Sequence, residues 1–348
     1  MKKNKYLIML FLLKLEIIFG RKKLLSNPTK AKKRIQQAIG LALMLGKILY
    51  VIPILKKVPT TNLGDKERKA TEIMLDRFSK SKFEFDSINY SDVNETVLKV
   101  LAIYQKYWFQ VLMGKANDED ASQNLKHSLV EVSNEFQSIS HSEISIILSE
   151  KFKELGYYSL FGRTPPYFEL MIWKTQDEVE FIVELPEGSE NVIVVMMDDF
   201  ISLGWLAFAT GDYHHTGGWV TSDKLFCVKS AYDLESEEFR VSYLVHEAQH
   251  FQDYRNFPEI QNSPHQLEYR AKLAEIIVGD ANIISTLNAF EIFQSNNIKH
   301  PHPYSNRMVI KNIRKSLGEY NASWDRLNVI DIKDTARKLL AENTKELK

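Results

Sequence analysis

The stretch Ser236-Glu237-Glu238-Phe239-Arg240-Val241-Ser242-Tyr243-Leu244-Val245-His246-Glu247-Ala248-Gln249-His250-Phe251-Gln252-Asp253 sets the reading of the whole chain. Over 237–253 it has the period of one helix. Ser236 is placed to cap it, and Glu237 and Glu238 put negative charge in the first turn, where the helix dipole favours it. Leu244, Val245, Ala248 and Phe251 give it an apolar footing. Inside it lies H-E-x-x-H. Residues four apart sit one turn above each other, so His246 and His250 can converge on one cation. Glu247 is turned from them by about 100°. From there it can reach a water at that cation without being a ligand, the position of a general base. With 9 His in 348 residues, a chance match to this motif is expected about 0.02 times, so the motif is read as a site.

Two histidines need a third protein ligand to make a catalytic zinc site. In H-E-x-x-H-x-x-G-x-x-H the next histidine would fall at Asn256 and the glycine at Asp253, and neither matches. Beyond the loop holding Pro258 and Pro264 a second helix is expected, over 265–290. It carries Glu268, which is 268 − 250 = 18 residues past His250. Ala271 and Ala274 would let it approach the first helix closely. Glu275, two turns further on the same face, is the alternative ligand, and His265 a weaker one. The competing reading makes Glu268 a surface residue paired with Lys272 at i,i+4. Asp253, just past His250, is a candidate to orient a histidine from outside the inner sphere.

Upstream, 165–232 holds short runs rich in β-branched and aromatic residues, at 167–173, 179–185, 191–197 and 224–228. They are bounded by turn signals at Pro186-Glu187-Gly188, Gly211-Asp212 and Gly217-Gly218. A small, mostly antiparallel sheet before the motif helix is expected. Residues 59–160 read as helical: Val97, Leu101, Tyr104, Trp108 and Val111 recur at helical spacing, a break falls at 116–122, and further helices cover 125–136 and 143–155. Tyr104, Tyr107, Trp108 and Phe109 read as core rather than as an aromatic binding box. The expected fold is α+β and predominantly helical, with 161–348 as the metal-binding domain.

Composition is that of a globular protein, 44% hydrophobic and 26% charged, and Lys+Arg and Asp+Glu balance at 45 each. Nothing in that balance recruits nucleic acid. The single cysteine, Cys227, excludes a disulfide framework and a Cys-rich zinc site, and its apolar neighbours mark a buried thiol. Residues 1–58 differ in character. A basic start leads into an apolar run interrupted by Lys14 and Glu16, without an A-x-A-like cleavage site. A second apolar run, 38–55, contains Lys47 and is near the lower limit for a membrane span. Two readings stay open: a membrane anchor, making the chain membrane-associated or exported, or packed helices on a cytoplasmic protein.

The H-E-x-x-H helix followed by a helix bearing Glu268 resembles the zincin metallopeptidases, and within them the gluzincin arrangement, over roughly residues 190–290. The resemblance implies one zinc ion per chain held by His246, His250 and Glu268, with Glu247 as the base and a peptide or protein as substrate. It implies an edge strand before the motif helix, within 217–228, to bind an extended peptide. It also places an oxyanion-stabilising residue after the third ligand, which points to His302 or Tyr304; Tyr213-His214-His215 is another candidate cluster. Thermolysin-like members carry an Asp four residues past the glutamate ligand, where this chain has Lys272. The rival readings are an inactive zincin-like interaction module and a membrane-associated scaffold.

Overall fold

The computed structural model describes residues 38–40, 42–43, 46–57, 61, 63–80, 83–85, 90–133 and 139–348. The basic start and the first apolar run lie outside the described residues. The protein is α+β and divides into two units, one of residues up to 175 with 199–216, the other of 176–198 with 217–348. The division falls inside two long strands.

The first unit is built on helices α1 (Asp65–Ser79), α2 (Glu95–Leu112), α3 (Asp118–Ser133) and α4 (His141–Glu154). Val97, Leu101, Tyr104, Trp108 and Val111 form the buried face of α2, and Tyr107 and Phe109 join them in the core. The break between α2 and α3 falls at 113–117, and 118–122, expected within it, already belongs to α3. Asn117 accepts from the Asp120 N–H at 2.8 Å, and Asp118, Glu119 and Asp120 fill the first turn of α3, where the dipole stabilises them. The described part of the apolar run 38–55 packs into this core through Ala38, Ile48, Val51 and Leu55. Lys47 donates from Nζ to the Val111 carbonyl at 2.8 Å, at the C-terminal end of α2. No helix of the described residues is long and apolar enough to cross a membrane.

Five strands, β1 (Tyr158–Thr164), β2 (Tyr167–Leu185), β3 (Gly188–Leu203), β4 (Gly218–Val220) and β5 (Leu225–Val228), form a sheet in the order β1-β2-β3-β5-β4. It is mixed: antiparallel pairing is present at both edges, as expected, and one parallel pair lies between them. β1 pairs antiparallel with β2, and β4 with β5, whereas β3 runs parallel to β5. The runs expected at 167–173 and 179–185 are one strand, because the ladder is made by backbone groups and passes through the polar 174–178 with its side chains in water. β1, with no alternation in its burial, gives no period-2 signal. A short helix α5 (Gly204–Thr210) follows β3 and ends on Gly211 and Asp212, both at positive φ.

In the second unit the motif segment begins as a π-helix, Glu238–Val245, and continues as α6, His246–Asn256. The expected single α-helix would bury one stripe. Here Phe239, Val241, Tyr243, Leu244 and Val245 are all buried, and the wider turns bring them inward. Ser236 Oγ accepts from the Phe239 N–H at 3.1 Å, as expected of a cap. The segment packs on Val194, Leu225 and Cys227 of the sheet. The single helix expected at 265–290 is two, α7 (Pro264–Val278) and α8 (Ile283–Ile292). Glu237 occupies the break, accepting from the backbone N–H groups of Asp280 at 2.6 Å and Ala281 at 3.0 Å, just before α8 begins. Helices α9 (Pro301–Leu317) and α10 (Val329–Leu347) complete a cluster around Leu273, Ile276, Leu287, Val309 and Leu340.

One carboxylate in the first unit is a measurable burden on stability. Glu169 is buried on β2, where its Oε1 accepts from the Trp205 N–H at 2.8 Å and the Leu170 N–H at 3.1 Å. Gly204, at φ +88°, makes room for it, since a Cβ there would overlap the carboxylate. Burial outweighs these bonds and pushes the Glu169 carboxyl up to about 7 from an ordinary 4.5. Below pH 4.5 the group is protonated in both folded and unfolded states and costs nothing. As pH rises towards 7 the unfolded chain ionises first and stability falls, by roughly 3 kcal/mol in all. Urea midpoints measured at pH 5 and pH 8 should fall for the wild type, and the Glu169→Gln variant should lose that part of the decline. An identical decline in both proteins would contradict the assignment.

Candidate metal centre

The second unit brings His246, His250, Glu268, Glu275 and His302 together from α6, α7 and α9. α6 and α7 are in contact, with Ala248 of α6 and Ala274 of α7 packed in one buried cluster and Ala271 fully buried beside them in sequence. His246 Nε2 and His250 Nε2 lie 3.1 Å apart. Glu268 places Oε1 3.4 Å from His250 Nε2 and Oε2 3.7 Å from His246 Nε2. A tetrahedral zinc with bonds of about 2.0–2.1 Å needs its donors roughly 3.4 Å apart. The three separations bracket that value.

The chemistry of the donors also asks for a cation. Two neutral imidazole nitrogens and a carboxylate are all acceptors, and acceptors facing each other at these distances repel unless a proton or a metal lies among them. His246 Nδ1 is 2.6 Å from Glu275 Oε1. Donation there leaves the Nε2 lone pair facing Glu268, the carboxylate–histidine arrangement of metal sites. His250 Nδ1 is buried with no hydrogen-bond partner among the described residues. His246, His250, Glu268 and Glu275 are all buried. Burial alone would lower the His246 pKa, but Glu268 and Glu275 outweigh it and raise it to about 10. For Glu268, burial opposes ionisation, and His302, His246 and His250 together hold the carboxyl well below its ordinary value.

Each residue singled out in the sequence has a definite place. Glu247 is half-buried on α6 amid buried neighbours. Burial raises the Tyr254 hydroxyl pKa, and the charges of Glu247 and Glu268 add to it, so Tyr254 stands in the field of both. His302 Nδ1 lies 2.6 Å from Glu268 Oε2. Tyr304 instead packs edge-on against His265 at 5.7 Å. Tyr213, His214 and His215 belong to the first unit, with Tyr213 donating to Glu67 Oε1 at 3.0 Å. Cys227 is buried in β5, and burial pushes its thiol up to about 12. The edge strand is β4, three residues long, with Trp219 stacked on Phe226 at 5.1 Å.

Of the two basic residues here, Arg270 went unread in the sequence, and Lys272 was read only as a surface partner of Glu268. Asp253 does not orient a histidine; its Oδ2 accepts from Arg270 Nε at 2.9 Å and its Oδ1 from Gln249 at 3.0 Å. Arg270, fully buried, also donates to Glu187 in the β2–β3 turn and to Thr344 on α10, both at 2.8 Å. Lys272 is buried with Nζ 3.5 Å from Glu268 Oε2 and 4.8 Å from the Phe290 ring centroid. The i,i+4 pair therefore forms in the interior, and the carboxylate against His246 Nδ1 is Glu275, two turns past Glu268. No protein-family model, curated protein or solved structure matches this chain.

The Glu275 contact makes a direct prediction. Glu275→Gln keeps the shape but removes the anion that polarises His246, so zinc affinity should fall about 10–100-fold in chelator competition. Unchanged affinity would show that Glu275 does not act through His246.

Proposed function

We propose that the protein is a zinc-dependent hydrolase, most simply a metallopeptidase, with His246, His250 and Glu268 as the metal ligands and Glu247 as the general base. The convergence of two histidine Nε2 atoms and one carboxylate at 3.1, 3.4 and 3.7 Å carries the reading. Its likeness to the gluzincin arrangement supports it: H-E-x-x-H on one helix, a glutamate on the next, and an edge strand against the motif helix. The placement of Glu275 on His246 adds the outer support such a centre needs.

When bound, the zinc ion supplies a Lewis acid that polarises a carbonyl and acidifies water. The chain's own residues do the rest. Glu268 contributes the anionic ligand, and Lys272 neutralises part of its charge. Glu247, outside the ligand set, takes the proton of the attacking water and delivers it to the leaving amine. An extended substrate adds to β4, the edge strand of the sheet. Trp219 supplies an apolar face there.

Two nearly isosteric substitutions separate these roles. Glu247→Gln should retain zinc while turnover of a quenched peptide library falls by about 10²–10⁴-fold. Glu268→Gln should hold zinc more weakly, because it loses an anionic ligand. A Glu247→Gln protein as active as wild type would defeat the mechanism. A zinc-replete wild type that cleaves nothing across broad libraries would favour the interaction module.

A further inference from the structure

The two oxygens of Glu268 stand in different surroundings. Oε1 faces His250 Nε2 at 3.4 Å. Oε2 has His302 Nδ1 at 2.6 Å and Lys272 Nζ at 3.5 Å, and lies 3.7 Å from His246 Nε2. An imidazole nitrogen and a carboxylate oxygen at 2.6 Å attract only with a proton between them. Neutral imidazole supplies that proton when Nδ1 is the protonated nitrogen, so the contact asks for no charge on His302.

The His302 side chain is 67% exposed, so packing does not explain its direction. Its backbone, in the first turn of α9, is pinned on both sides. The Ser295 N–H donates to the Pro303 carbonyl at 2.9 Å. Asn306 Nδ2 donates to the Phe293 carbonyl at 2.7 Å. Ser305 Oγ donates to the His265 carbonyl at 2.7 Å, at the start of α7, the helix that carries Glu268. Ser295, Ser305 and Asn306 are all buried. The turn is thus fixed relative to Glu268 by contacts that do not involve the imidazole.

We infer that His302 is a positioning residue for Glu268: it holds Oε2, fixes the carboxylate plane, and leaves Oε1 as the atom presented to the metal. This rests on the zinc reading above. It makes His302 neither a metal ligand nor an oxyanion donor. Nδ1 and Oε2 are too close for both to bind one tetrahedral zinc, whose donors stand roughly 3.4 Å apart. A carboxylate with its outer oxygen tied down meets the metal in one orientation, and less side-chain freedom is lost on binding. Lys272, on the same oxygen, balances charge but is a less directional donor.

The experiment compares the full chain as wild type, His302→Leu and His302→Asn, with zinc affinity read by chelator competition. Leucine and asparagine are similar in shape and differ in the donor. Asn Nδ2 is attached to Cγ as Nδ1 is in histidine, and an asparagine amide is not among the usual zinc ligands. His302→Leu should hold zinc about 10–100-fold more weakly, as loss of an outer partner does. His302→Asn should recover most of that loss, which neither a ligand role nor simple packing of the ring would allow. Equal affinity in wild type and His302→Leu would overturn the inference while leaving the hydrolase reading standing. An asparagine variant as weak as the leucine variant would do the same. A wild type that takes up no zinc would overturn both, and the wild-type titration alone reveals that outcome.

Discussion

Two imidazole nitrogens 3.1 Å apart, with a buried carboxylate 3.4 and 3.7 Å away, are the feature around which the second unit is organised. Without a positive charge among them these acceptors repel, and water cannot separate them because all three side chains are buried. Their backbones must therefore be held in place by structure that does not depend on the site. The sheet and the apolar side of the motif helix supply one half of that support. The cluster of α7–α10 around Leu273 and Leu340 supplies the other.

Charge is balanced in two layers. Near the donors, Glu275 faces His246 and Lys272 faces Glu268. Further along α6, fully buried Arg270 joins Asp253 at the helix end to Glu187 in the β2–β3 turn and Thr344 on α10. Breaking a buried pair of this kind typically costs about 3–5 kcal/mol, since the surviving charge stays buried. Arg270 thereby ties three elements of the second unit to the helix that carries both histidines. Rigid placement of donors within a few tenths of an ångström requires such a frame.

The convergence of His246, His250 and Glu268, proposed above as metal donors, was the most legible part of the sequence because spacing on a helix is geometry. H-E-x-x-H fixes two imidazoles on one face, and Glu268 and Glu275 are two turns apart on another. The α+β order of elements was also legible. Less legible was anything set by tertiary contact. The path of β2 through polar 174–178 leaves no alternation to read, and parallel pairing of β3 with β5 depends on a long-range choice. The π-helical opening of the motif segment has no local signature. Asp253 was placed beside a histidine on spacing alone, whereas Arg270, seventeen residues away, captures it. His302 was one of two candidates in a late loop, and only the packing of α9 separates it from Tyr304.

The account turns on whether the buried donors bind one metal ion. Titration of the demetallated full chain with zinc, followed by calorimetry, measures this directly, with His250→Ala beside it. The predicted result is one zinc bound per chain in wild type and no saturable binding at micromolar metal in His250→Ala. A wild type that binds no zinc under these conditions, or a His250→Ala protein that binds it equally well, would contradict the account.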